Sequence, residues 1–299
     1  MEHLRQSVTD FIRDGERRLS PATILYYRSA LAAFLDYCET QGVQLVSGVT
    51  RPLIRAYAAQ LDGTMAPGGA HARLRALRVF VNWLVREELL SGNPLPHHLF
   101  PKVPQPELAV ITEGDMAALL TQAATTRRPL RDRAMLLTLF DTGLRASELC
   151  GLHLDHLLPD STLYVRLGKG AKDRRVPISK PTRRALQAYI QKERPDSEST
   201  QLFLSRGAQP LTASGLLQHL VDLCAAAGLP HKTPHAFRRG FAVSFIKHGA
   251  DLVRLRDVLG HTSIAMSARY AVMSSEDLKE LHQTASPVQH MAGRKKGGR

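Results

Sequence analysis

Cysteine is scarce, with only Cys38, Cys150 and Cys224 in 299 residues. An odd number of widely spaced thiols, each set in an apolar helical pattern, excludes a disulfide framework and a zinc cluster and fits buried, reduced side chains in a cytosol. Long apolar runs are missing as well: no stretch approaches the ~20 consecutive residues of a membrane span. The opening MEHLRQSVTDFIRDGERRL carries acids throughout and has no apolar centre followed by small residues, so it does not read as a secretory signal. No GxxxxGK[ST] phosphate loop and no carboxylate cluster at metal-site spacing occur, so neither nucleotide nor metal is expected as a cofactor. Acidic residues are the minority, 27 against 40 Lys and Arg, for a formal charge of +13. That surplus favours a polyanionic partner, nucleic acid first, because neutralising phosphates releases counterions. A membrane surface is a weaker fit, since no Lys-rich amphipathic helix with bulky apolar residues stands out.

The length suggests two domains. Ser20-Pro21 is a helix start, followed by Ile24, Tyr27, Leu31, Phe34, Leu35 and Cys38 at helical spacing until Gly42. A second helix covers Ile54 to Leu61, and a third runs from about His71 to Leu90 with Leu74, Leu77, Val81 and Leu84 on one stripe. Arg73, Arg75 and Arg78 lie off that stripe, on a face that is either solvated or phosphate-binding. Residues 1–91 thus form a small helical domain. The segment GNPLPHHLFPKVPQPEL holds five prolines and reads as a semi-extended linker, 92–107. Thr112 and Asp115 then resemble a capping box opening a larger domain, 108–284. Within it, TLYVRL alternates with period two, GKGAKD supplies a turn, and RRVPIS returns as the second strand, with helical patterns from Thr182 onward. The final 285–299, ending GRKKGGR, is a basic tail that reads as disordered and able to add weak affinity for DNA.

Several positions carry chemistry. Arg145 in DTGLRASEL sits at a helix start, where a guanidinium either grips phosphate oxygens or simply meets solvent. Lys169 occupies the hairpin turn near Lys172, Arg174 and Arg175, a basic tip that is either a groove probe or a soluble loop. Thr233-Pro234 place His235 and Arg238 three apart near a helix N-terminus, where backbone amides and the helix dipole attract anions; a capped helix with a structural His is the competing reading. Asp251 caps a further helix that Gly260 ends, presenting His261 at its exit, and Tyr270 follows in a small, apolar stretch.

Taken together, DTGLRASELCGL, LGKGAKDRRVPI, TPHAFRRGFAVSFIKHGAD and VLGHTSIAMSARY, in this order and spacing, resemble the catalytic domain of tyrosine recombinases, particularly Xer-type enzymes. The resemblance covers residues 108–284, and the helical domain before it looks like the family's core-binding domain. It implies a mainly α fold with a small antiparallel β-sheet, a two-domain clamp of a helical core-binding domain and a mixed α/β catalytic domain. It also implies a catalytic set of Arg145, Lys169, His235, Arg238, His261 and Tyr270, with Glu148 in support. Tyr270 would be the nucleophile, Arg145, Arg238 and His261 the phosphate-binding groups, Lys169 the general acid and His235 the keeper of the tyrosine proton. The resemblance further implies double-stranded DNA as partner and a tetramer on two duplexes, alone or with a paralogous recombinase, in the cytoplasm. SSEDLKELHQ, residues 274–283, looks like the family's last helix, which docks on a neighbouring protomer. Integration, excision and dimer resolution all fit this layout; the short N-terminus leaves no room for the arm-binding domain of lambda-type integrases. The alternatives are a topoisomerase-like strand cutter using the same residues and a catalytically silent DNA-binding regulator, against which the presence of all six groups argues.

Overall fold

The computed structural model describes residues 2–96, 98–102, 109–166, 173–260 and 263–264. The chain divides into two compact units, Met1–Pro106 and Glu107–Arg299. Among the described residues, no helix is long and apolar enough to cross a membrane.

Among the described residues, four α-helices build the first unit: α1 (Leu4–Glu16), α2 (Pro21–Thr40), α3 (Arg51–Thr64) and α4 (Pro67–Arg86). Three of them, α2, α3 and α4, start with proline in the first turn, where its fixed φ suits the helix and its missing N–H is not needed. Ser20 and Thr50 accept from the backbone N–H groups of Thr23 and Leu53, closing the starts of α2 and α3. The third expected helix, His71 to Leu90, is shifted: α4 begins at Pro67 and ends at Arg86. Its first turn runs through Gly68 and Gly69, poor helix formers held there by Pro67, and Glu88 adopts a φ of 58° that stops continuation. Leu31, Phe34, Ile54, Leu74, Phe80 and Leu84 are fully buried in one core. Phe11 meets Phe80 and Trp83 edge-on, and the Trp83 indole donates to Asp14. α1 closes the bundle, with Leu4 donating to the Gln44 carbonyl at 2.9 Å.

The second unit comprises α5 (Glu113–Ala123), α6 (Pro129–Thr142), α7 (Ala146–Cys150), strands β1 (Thr162–Val165) and β2 (Arg174–Pro177), α8 (Lys180–Lys192), α9 (Ala213–Ala226), α10 (Pro234–Lys247) and α11 (Leu252–Leu259). The capping box expected at Thr112 is present, its hydroxyl accepting from the Asp115 N–H and the Asp115 carboxylate from the Thr112 N–H, each at 3.0 Å. α6 is buried almost all round and packs on α5, α8 and α10. Its start is closed by the Glu193 carboxylate, which accepts from the N–H groups of Leu130 and Arg131. The strands pair antiparallel with Leu163 opposite Val176 and Val165 opposite Arg174; Leu163, Val165 and Val176 face the core. The fold is mainly helical with a small antiparallel sheet, as the sequence pattern indicates. All three cysteines are free and buried, and burial pushes the Cys38 thiol up to about 12 and the Cys150 thiol up to about 11.

Candidate active site

Two left-handed glycine turns bring the site residues together. α6 ends at Gly143, in the left-handed conformation with φ 60°, and the chain turns at once into α7 with Arg145 as its N-terminal cap. Only glycine fits at 143: a Cβ there would stand 2.7 Å from a ring carbon of Phe241 on α10 and 2.8 Å from a methyl of Leu259 on α11. α11 likewise ends on left-handed Gly260, φ 65°. The C-terminal ends of α6 and α11 and the N-terminal half of α10 therefore converge.

Arg238 occupies that junction. It is 3% exposed and donates to the carbonyls of Gly143 and Leu259, at 2.8 Å each. Both carbonyls belong to helix C-termini, which carry partial negative charge and lack partners in their own helices. A guanidinium held this way is fixed in place while retaining its charge.

Arg145 is fixed by a carboxylate. Glu148 accepts from the Arg145 backbone N–H and from its guanidinium, both at 2.8 Å. The same carboxylate accepts two further bonds from Arg174 of β2, at 3.1 and 3.0 Å. Burial pushes the Glu148 carboxyl up, but the bonds from Arg174 and Arg145 and the Arg174 charge outweigh it and hold the group below the usual carboxylate range. One buried anion thus serves two guanidinium groups, and Arg145 keeps a third of its side-chain surface, 34%, toward solvent.

His235 lies exposed on the first turn of α10. Partial desolvation, then the charges of Arg239, Arg238 and Arg145, push its imidazole below the ordinary histidine value, so it is neutral at pH 7. Thr233 stands at the N-cap as expected, but its side chain makes no capping bond. α10 is instead held by the segment preceding α5. The Ile111 N–H donates to the Ala236 carbonyl, the Arg239 guanidinium to the Ala109 carbonyl at 2.7 Å, and Lys232 to the Val110 carbonyl at 2.8 Å and to Asp115 at 3.2 Å. Gly240 lets that segment approach, since a Cβ there would lie 2.3 Å from the Ile111 carbonyl oxygen.

Of the six residues singled out from the sequence, the structure brings Arg145, His235 and Arg238 together. Lys169, His261 and Tyr270 lie outside the described residues, as do 274–283 and the basic tail. The strand ends that flank Lys169 are described: Val165 pairs with Arg174, and the Tyr164 hydroxyl donates to Asp173 at 2.6 Å. His261 follows Gly260 directly in the sequence. Among the described residues no three His, Cys, Asp or Glu side chains are grouped to hold a metal.

Sequence reasoning missed Arg174, which it grouped with the basic tip. The available signal was strand alternation: Arg174 falls two residues before core-facing Val176, so its side chain points inward, and a charge on that face requires a buried partner. Nothing local marked Lys232 and Arg239, whose acceptors lie more than a hundred positions away in the sequence.

Residues 109–276 match the phage integrase family, and residues 13–88 match the phage integrase N-terminal SAM-like domain. Among curated proteins, tyrosine recombinase XerC of Myxococcus xanthus is 33% identical over 284 residues, covering 92% of this chain and 94% of the relative. XerC of Escherichia coli strain HS is 30% identical over 292 residues, covering 96% and 98%. Among solved structures, the Tn1549 transposon integrase in complex with circular intermediate DNA superposes with a TM-score of 0.77 at 20% identity, covering 94% of this chain and 99% of that one. XerH recombinase bound to a palindromic difH substrate superposes with a TM-score of 0.72 at 19% identity, covering 89% and 81%. At these identities the two structures speak to the fold.

Proposed function

The chain belongs to the phage integrase family, and from that premise we propose that it is a tyrosine site-specific recombinase, cutting and rejoining duplex DNA with Tyr270 as nucleophile. The observation that carries the assignment of groups is the meeting of Arg145, His235 and Arg238 from two helix starts at one junction, the two guanidinium groups fixed by hydrogen bonds and His235 pushed below its ordinary value by partial desolvation and its cationic neighbours.

The Tyr270 hydroxyl oxygen attacks the scissile phosphorus; the bond to the 5′ oxygen breaks, leaving a 3′-phosphotyrosyl ester and a 5′-hydroxyl end. Negative charge concentrates on the non-bridging oxygens as this happens. Arg145 and Arg238 meet it with charge-assisted hydrogen bonds, and His261 donates a further one. Lys169 protonates the leaving oxygen, and His235 accepts the tyrosine proton, which requires the neutral imidazole that its neighbours favour. Attack by a partner strand's 5′-hydroxyl reverses the chemistry and reseals the strand, so the ester stores the bond energy and no nucleotide enters.

Duplex binding draws on the +13 charge and on the first unit, where Arg75 and Arg78 are exposed beside Tyr26 on the faces of α4 and α2. Exchange between two duplexes takes four cleavages, so the working assembly is a tetramer on DNA, of this chain alone or with a paralogous recombinase, in the cytoplasm; residues 274–283 dock on the neighbouring protomer. Integration, excision or dimer resolution is the biological outcome.

Nicked suicide duplexes from a randomised library test the chemistry. The expected result is covalent protein–DNA adducts, concentrated on one inverted-repeat sequence, that vanish in Tyr270→Phe. Adducts at normal levels in that variant would refute the nucleophile; specific binding without any adduct would favour a silent regulator. Recombinant junctions, rather than relaxed circles alone, separate the recombinase from a topoisomerase.

A further inference from the structure

Arg174 stands between two parts of the site that have no covalent reason to stay in register. Its Nη1 and Nη2 donate to the two oxygens of Glu148, at 3.1 and 3.0 Å, while its Nε donates to the Val258 carbonyl in the last turn of α11, at 2.8 Å. The side chain is 9% exposed. Its guanidinium also fills the space over Gly260, where a Cβ would sit 3.2 Å from Nη1 and 3.3 Å from Cζ. One planar fork therefore joins β2, which follows Lys169 in the sequence, to the carboxylate that orients Arg145 and to the end of α11, the helix that precedes His261 in the sequence.

We propose that Arg174 is a positioning residue for phosphate binding: it does not touch DNA, but through Glu148 it fixes Arg145, and through the Val258 carbonyl it ties that carboxylate to the end of α11. The inference rests on the recombinase reading and adds to it a residue outside the six catalytic groups. Only arginine has the geometry, because lysine is a point donor and cannot hold two carboxylate oxygens and a carbonyl at once. The charge matters as much as the shape. Among the described residues, Arg145 at the start of α7 and Arg174 from β2 are the charges facing the Glu148 carboxylate, and Arg238, Arg239 and His235 on α10 are the other titratable groups of the cluster. Without Arg174, a carboxylate that is only 7% exposed keeps a single cationic partner, and burial raises its affinity for a proton. A protonated Glu148 no longer holds Arg145 by charge.

This gives the test a direction. A duplex that forms Tyr270-dependent adducts is first selected with the unaltered chain; if no duplex does so, the recombinase reading fails and this inference with it. On that duplex, Arg174→Gln is expected to bind within about threefold of the unaltered chain but to form adduct ~10²-fold more slowly at neutral pH, the loss typical of one misplaced transition-state donor. The deficit relative to the unaltered chain should shrink as pH rises and Glu148 ionises again. Arg174→Lys should recover part of the rate and guards against a variant that simply fails to fold. Combining Arg174→Gln with Glu148→Gln should lose little more than the worse single variant, since both act through one path. A folded Arg174→Gln protein that cleaves at the parental rate, a deficit constant across pH, or losses that multiply in the double variant would each overturn the proposal.

Discussion

The Arg238 guanidinium donates to the Gly143 carbonyl at 2.8 Å, and that carbonyl is in reach because residue 143 has no side chain. Gly143→Ala meets two penalties, a φ of 60° that disfavours a Cβ and contacts under 3 Å with Phe241 and Leu259. The expected destabilisation is ~2–4 kcal/mol. Urea denaturation followed by far-UV circular dichroism measures it, and an unshifted midpoint would mean that α10 and α11 withdraw freely from α6.

Arg238→Lys keeps the charge but cannot reach the Gly143 and Leu259 carbonyls together. Adduct formation should fall by ~10²–10³-fold, with a much smaller change in duplex affinity, as for a group whose bonds strengthen in the transition state. Rate and affinity falling in equal measure would assign Arg238 to ground-state binding instead.

His235 has its folded-state pKa pushed below the ordinary histidine value by desolvation and then by Arg239, Arg238 and Arg145. The unfolded chain therefore binds the extra proton more readily, and stability falls as pH drops through and below the unfolded value of ~6.5. His235→Gln should flatten the stability profile in that window. In the parent, the imidazole should titrate below its unfolded value by nuclear magnetic resonance, and Arg239→Gln should move it upward. A parental midpoint above the unfolded value would remove the basis for His235 as proton acceptor.

Those three groups were legible in the sequence because each sits at a helix boundary with local punctuation. Gly143 before Arg145, Thr233-Pro234 before His235 and Arg238, and Asp251 with Gly260 around α11 are turn and cap signals spanning only a few residues. The Thr112–Asp115 box and the alternation of β1 and β2 were readable for the same reason. What holds the groups in place was not. The Arg174–Glu148 pair spans 26 positions, the Arg238 bond to Gly143 spans 95 and the Lys232 bond to Val110 spans 122. Such contacts arise from tertiary packing, and only the inward register of Arg174 hinted at one. The boundaries of α4 were misplaced because a proline start overrides two glycines, whose propensity alone argues against a helix.

Asp132, 1% exposed on α6, accepts from Thr126, from Arg131 and, at 2.8 Å, from His219 on α9. Burial pushes its carboxyl up, yet the bond and charge of His219 and the charge of Arg131 bring it below the ordinary aspartate value. A carboxyl depressed in this way stabilises the fold above its unfolded value of ~3.9 and loses that contribution as pH falls toward the lower folded value. Asp132→Ala should cost ~3–5 kcal/mol at neutral pH, because it strands the buried Arg131 charge rather than merely deleting one pair. Replacing both groups, Asp132→Leu with Arg131→Met, removes the stranded charge and should recover much of the loss, although Arg131 also donates to the Leu204 carbonyl at 3.3 Å. Urea midpoints for the single and double variants decide the matter. A double variant less stable than Asp132→Ala would show that the bonds to Thr126, His219 and Leu204 stabilise this unit beyond their charge compensation. The expected order places it between Asp132→Ala and the parent, with adduct formation per folded molecule unchanged in both.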